Sequence, residues 1–158
     1  MRRAVFLGFV ATLLCASAAF AQAQNLGPKE TFAAARLSAQ EIQQITEGVE
    51  QSAYDTPDSW ERELRARRVD LGDVAGMVVQ GTKLLCGGTG NCQTWVFRKA
   101  AGKWISMFGG EQAPLADSFQ FGPASTGGVK DFSVTANSSA EDSHRVTYKF
   151  DGKLYRAK

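Results

Sequence analysis

LLCGGTGNCQTWVFRKAAGKW, residues 84–104, is a glycine-rich turn between two cysteines, followed by an aromatic run and a second turn. Trp95 and Phe97 stand at i and i+2, so on a strand both point to one face. Gly102-Lys103 then sends the chain back toward Trp104, which makes the stretch a hairpin. The same grammar recurs in Thr147-Tyr148-Lys149-Phe150-Asp151 and Gly152-Lys153-Leu154-Tyr155. Trp95, Phe97, Tyr148 and Phe150 are therefore expected in the core, on two similar hairpins of one antiparallel sheet. Two copies fall short of the three or more that a repeat array needs.

Working outward, Asp55-Thr56-Pro57-Asp58 punctuates the chain, and beyond it β-branched and aromatic residues recur in short runs between glycines. Strands are expected at 60–70, 76–81, 93–99, 103–108, 118–122, 131–136, 143–151 and 153–156. Gly76-Met77-Val78-Val79-Gln80 is continuous enough to be central and covered on both faces. Asp131–Ala136 alternates, with Phe132, Val134 and Ala136 on one side. In Ser143–Asp151 the inward set is His144, Val146, Tyr148 and Phe150, while Arg145, Thr147 and Lys149 face water. Upstream, Ser38-Ala39-Gln40-Glu41 has the form of a capping box, with Leu37 and Ile42 at the staple positions. Ile42, Ile45 and Val49 share one helical face, opposed by Gln43, Gln44, Glu47 and Glu50. The fold class expected is α+β: one N-terminal amphipathic helix packed on a twisted, mainly antiparallel β-sheet, in a single domain over 37–158. Residues 22–36, rich in Ala and Gln with Pro28, are expected to form a flexible leader.

Arg2 and Arg3 precede an uncharged run from Ala4 to Ala21, which reads as a signal peptide over 1–21 with cleavage before Gln22. A spanning helix would need about 20 strongly apolar residues, and this run decays into Ala and Ser after Leu14. Cys15 follows Leu14, where a lipoprotein signal has Gly, Ala or Ser, so it counts as a signal residue. The 158-residue chain carries 18 basic and 16 acidic residues. Losing Arg2 and Arg3 leaves sixteen of each, so the mature chain is formally neutral and gives no electrostatic ground for binding nucleic acid or an anionic membrane. No membrane anchor is expected after cleavage, and the localisation expected is periplasmic or secreted. Of three cysteines two remain, and in an oxidising compartment a lone pair is most simply a disulfide.

Three chemistries compete with a disulfide for the CGGTGNC segment. Zinc sites want cysteines two to four apart and four ligands in all; here five residues intervene and the only further soft ligand is His144. A thioredoxin-like site needs C-x-x-C at a helix start, and a phosphate loop needs G-x-x-x-x-G-K-[ST] leading into a helix, whereas a strand follows Asn91. The expectation is a Cys86–Cys92 disulfide closing Gly87, Gly88, Thr89, Gly90 and Asn91. Gly and Asn tolerate the positive φ of a tight connection. Closure is worth about 2 kcal/mol on the chain-entropy account, so stiffness is the larger effect. The loop is then either a structural turn or a partner-binding finger with bare backbone amides.

The segment C-G-x-x-G-N-C-x-x-W-x-F-R, together with Tyr148-Lys149-Phe150-Asp151-Gly152-Lys153-Leu154-Tyr155, resembles a group of uncharacterised small secreted bacterial proteins. The resemblance spans about residues 69–156 and implies a common fold without an activity. More distantly, the strand-loop-strand layout is similar to periplasmic inhibitors of vertebrate-type lysozymes, which insert a disulfide-closed loop into the enzyme cleft. Their loops carry a His and an acidic residue, and Gly87–Asn91 has neither.

Asp70 and Asp73 offer two carboxylates to a worn calcium-loop pattern, against the six to eight oxygens calcium takes, so a solvated turn is expected and no metal or other cofactor. Asn137-Ser138-Ser139 matches a glycosylation acceptor pattern and reads as a flexible connection. Trp60 and Trp104 are candidates for stacking on sugars, Trp60 as the more exposed because it begins a strand. His144, the one histidine, has no accompanying nucleophile motif and is expected to be structural. Three functions are thus in view: a non-enzymatic exported binding protein, of inhibitor or immunity type, with a protein partner in the envelope; a carbohydrate or cell-wall ligand module; and an uncharacterised hydrolase.

Overall fold

Alternation in β3 (Cys92–Ala100) sends Gln93, Trp95 and Phe97 to one face and Thr94, Val96 and Arg98 to the other. From Gln93 to Phe97 every residue is buried, so both faces are covered. The computed structural model describes residues 22–53 and 58–158. The expected signal at 1–21 and the Asp55–Pro57 punctuation lie outside the described residues.

The strands form two antiparallel sheets, not one. In the first, β1 (Leu64–Asp70), β2 (Ala75–Gly81), β3 and β4 (Lys103–Ser106) pair in sequence order, and a two-residue β5 (Leu115–Ala116) joins β3 beyond the end of β4. The second is the meander β6 (Ser118–Thr126), β7 (Val129–Asn137), β8 (Ser143–Phe150) and β9 (Tyr155–Ala157). The two similar hairpins therefore sit in different sheets. A period of two fixes which side chains share a face, not which sheet a strand joins, so this split was not visible in the pattern. β6 also continues through Pro123, where its register with β7 shifts between Phe121 and Ser125; a bulge is where a strand tolerates proline.

One side of the first sheet meets α1 (Ala39–Glu50). Ser38 Oγ accepts from Glu41 N at 3.2 Å and the Glu41 carboxylate accepts from Ser38 N at 3.0 Å, the reciprocal cap expected. Ile45 and Val49 are fully buried. Trp104 N, on the outer edge of β4, donates to Gln44 Oε1 at 3.0 Å, and Trp95 Nε1 donates to Ser52 Oγ at 3.1 Å. Glu41 Oε1 also accepts from Lys99 Nζ at 2.9 Å and Trp104 Nε1 at 3.1 Å.

The opposite side faces the second sheet. Val78 and Val96 are fully buried, Arg98 lies 5.9 Å from the Phe150 ring centroid, and Phe108 packs edge-on to Phe132 and Tyr148. Among the described residues, main-chain hydrogen bonds join the sheets at two places. Met107 N donates to Val96 O at 2.8 Å while Met107 O accepts from Tyr155 N at 2.7 Å; at the other, Leu71 O accepts from Lys130 N at 2.8 Å.

Residues 22–36 are not the loose leader expected. Gln24 pairs with Phe119 of β6, Ala66 N donates to Glu30 O at 2.9 Å, and Leu26 is buried with its amide on Gln80 Oε1 at 2.9 Å. Arg65 donates to Leu26 O, Arg67 to the Glu30 carboxylate and Arg68 to Ala35 O. Composition suggested disorder, yet a row of guanidinium groups on β1 supplies partners that leader composition does not show.

Two predictions follow from the helix contacts. A Cβ on Gly48 would meet Phe97 Cε1 at 2.6 Å, and Phe97 is fully buried. Gly48→Ala gains about 1 kcal/mol of helix propensity but overpacks a site that cannot yield, so urea denaturation will show a net loss of about 1–3 kcal/mol. The bonds from Lys99, Ser38 and Trp104 hold the Glu41 carboxyl down to about 2. A depressed folded-state pKa contributes stability that is full above about 4.5 and lost as pH falls toward about 2. Glu41→Gln will flatten that limb of the stability–pH curve measured by thermal denaturation.

Candidate functional site

The end of β2 delivers the chain into a 3-10 turn, Lys83–Leu85, whose Leu85 is buried while Leu84 stays 57% exposed. Cys86 then faces Cys92 at the start of β3 as a single antiparallel bridge, and the two sulfurs form the disulfide. Their Cα atoms are 3.9 Å apart, below the roughly 4.4 Å at which the usual disulfide range begins. The pair is a non-hydrogen-bonded antiparallel bridge, the kind in which partner Cα atoms lie nearest, at about 4.5 Å.

Inside the loop, Gly87 N donates to Asn91 O at 2.8 Å and Gly90 N to Gly87 O at 3.0 Å. Of the residues expected to use positive φ, only Gly90 does, at 83°. Gly88 N and Thr89 N make no hydrogen bond among the described residues. Both residues are exposed, on a loop that is held covalently.

Asn91 is not a bare loop residue. It is 7% exposed; its Nδ2 donates to Thr89 Oγ1 and to Asn137 O, and its Oδ1 accepts from Asn137 N, each at 2.8 Å. Asn137 ends β7, so one side chain of the first sheet grips the main chain of the second. This corrects the inclusion of Asn91 in the partner-facing set and leaves Gly87, Gly88, Thr89 and Gly90 exposed.

Beyond Asn137 the chain forms a tight β7–β8 turn rather than the flexible connection expected. Ser139 Oγ accepts from Asp142 N at 3.1 Å and Glu141 N at 3.3 Å, and Ser138 N donates to Asp142 O at 2.9 Å. Between this turn and the disulfide loop runs a groove of about 400 Å³, lined by Gly88, Thr89, Ser139, Ala140, Glu141 and Asp142 among others. The carboxylates of Glu141 and Asp142 form no ion pair among the described residues. On the other flank of the loop, a smaller groove of about 280 Å³ carries Arg65, Lys83 and Asp117 beside the two cysteines.

The remaining candidates lie elsewhere. Trp60 opens a 3-10 turn (Trp60–Glu63) rather than a strand and is 7% exposed; Trp104 is 4% exposed, with Arg68 and Lys99 within 5.7 and 5.4 Å of its ring centroid. Neither has an open face for a sugar. His144 keeps the strand parity expected, but it pairs with Ala136 near the hairpin end and is exposed rather than inward. Its Nδ1 lies 3.0 Å from Ser138 Oγ. No carboxylate hydrogen-bonds the ring among the described residues, so the third group that orients a catalytic base is missing. Asp70 pairs with Lys130 Nζ at 2.7 Å and accepts from Gly72 N, and both bonds lower its pKa, Lys130 most. Among the described residues no three of His, Cys, Asp and Glu converge as metal ligands.

The acidic wall of the groove was missed by sequence reasoning. Ser139-Ala140-Glu141-Asp142 carries its own signal, a serine whose hydroxyl can hold amides two and three residues on, which would have marked a turn. No protein family, curated protein or solved structure matches the chain.

The clamp gives a direct test. Asn91→Ala removes three hydrogen bonds and leaves the half-buried amide and carbonyl of Asn137 without these partners, at a cost of about 1–3 kcal/mol in urea denaturation. Asn91→Asp sets a carboxylate oxygen against the Asn137 carbonyl at a buried position, so at neutral pH it will lose at least as much stability as Asn91→Ala, and amide exchange at Gly87 and Gly90 will quicken in both variants.

Proposed function

We propose that the chain is an exported, non-enzymatic binding protein that presents the Gly87–Gly90 finger to a protein partner in the envelope, as an inhibitor or immunity-type partner does. The observation that carries this reading is the combination at one loop of a disulfide, a two-sheet clamp through Asn91 and unpaired donors at Gly88 and Thr89. A loop already held in one shape loses less conformational entropy when a partner docks. The disulfide favours an oxidising compartment, and the N-terminal run Ala4–Ala21 supplies the export signal. No helix among the described residues is long and apolar enough to cross a membrane.

The rival functions have lost their best residues. A cell-wall ligand module would need an open aromatic face, which Trp60 and Trp104 do not have. A hydrolase built on His144 would need an acid to orient it.

Gly88 allows a clean test, because a Cβ built there meets nothing within 4 Å. Gly88→Trp will therefore keep wild-type thermal stability while filling the space before the loop. Affinity capture from envelope extract should recover a partner with the wild type and lose it with the variant. Identical partner sets for both proteins would refute the assignment of the finger.

A further inference from the structure

The groove beside the finger has a chemical character of its own. We infer that it receives a basic side chain, arginine above all, carried on an extended segment of the protein partner. This rests on the proposal that the Gly87–Gly90 finger is the contact surface, and it specifies what that surface recognises.

The groove's walls are complementary in kind. On one side stand the unpaired amides of Gly88 and Thr89, which suit a main-chain carbonyl oxygen. Across from them stand Glu141 and Asp142, whose carboxylates are paired with no cation of this chain among the described residues. Among the described residues no Lys, Arg or His lines the groove. A partner offering a carbonyl oxygen and a cationic side chain from the same stretch of main chain would satisfy both walls at once.

Both walls are set before anything arrives. The disulfide and Asn91 hold one, and Ser139 Oγ with the Asp142 carbonyl holds the other. Asn137 joins them, since its main chain is what Asn91 grips and it also lines the groove. A volume of about 400 Å³ admits a guanidinium on its stem with some of its main chain. Arginine is favoured over lysine because its planar fork can engage carboxylate oxygens in pairs.

The test uses the whole mature protein, labelled with nitrogen-15, and two peptides: acetyl-Gly-Arg-Gly-amide and its citrulline counterpart, which has nearly the same shape without the charge. The arginine peptide should shift the amides of Gly88, Thr89, Ala140, Glu141 and Asp142 saturably, and rising salt should weaken it. The citrulline peptide should bind about tenfold more weakly. The double variant Glu141→Gln/Asp142→Asn should lose affinity for the arginine peptide by a similar factor with an unchanged melting temperature, because neither carboxylate makes an internal bond. Absence of shifts at these amides, or equal shifts from both peptides, overturns the inference. Partner capture separates it from the reading beneath. If Gly88→Trp loses the envelope partner while the double variant keeps full affinity, the finger stands and basic recognition falls. If both variants keep the partner, both fall.

Discussion

Strands β2 and β3 are buried on both faces, and the rest of the architecture answers that requirement. Met77, Val79, Trp95 and Phe97 are fully buried on one side, Val78 and Val96 on the other. Two apolar faces need two covers, supplied by α1 through contacts such as Gly48 on Phe97 and by the β6–β9 meander with its Phe119, Phe132 and Tyr155. Burial of this kind stabilises by about 25 cal/mol per Å² of apolar surface, and it tolerates polar guests only when they are bonded. Gln80 shows the rule by donating to Asn25 and Thr94 and accepting from Leu26. Gln93, with neither amide atom partnered, and Arg98, whose Nε is buried without a partner, are exceptions among the described residues.

How much of this was legible depends on the scale of the signal. The helix cap at Ser38 and Glu41, the runs that became β2, β3 and β7, and the cysteine pairing are local, and the residues announce them within a few positions. What was lost is long-range. Pleat alternation cannot say that β3–β4 and β8–β9 lie in different sheets, nor that Arg65, Arg67 and Arg68 would gather in the leader. The β3–β4 turn runs through Ala101 and Gly102, both at positive φ, and only the glycine of that pair was readable as a turn residue. His144 shows the limit of parity: the alternation was right, but the core ended before the strand did.

The candidate site has the same character. Its covalent half was written in CGGTGNC, whereas its other half comes from the β7–β8 turn, 46 residues away at the Asn91–Asn137 contact. One amide side chain converts a turn and a loop into opposite walls of a single groove. Shape there belongs to the fold, and charge belongs to Glu141 and Asp142, so the two can be varied separately.

The guanidinium row along β1 has a consequence for proteolysis. Arg65, Arg67 and Arg68 are spoken for by Leu26 O, Glu30 and Ala35 O. A protease that trimmed the chain back past Ala35 would strip Arg65 and Arg67 of these partners and open the Ala66 amide on the β1 edge, while Arg68 would keep Glu41 and the Trp104 ring. The shortened product would become an adhesive species, prone to bind polyanions and to recruit foreign strands, while its catalogue of core residues stayed almost the same.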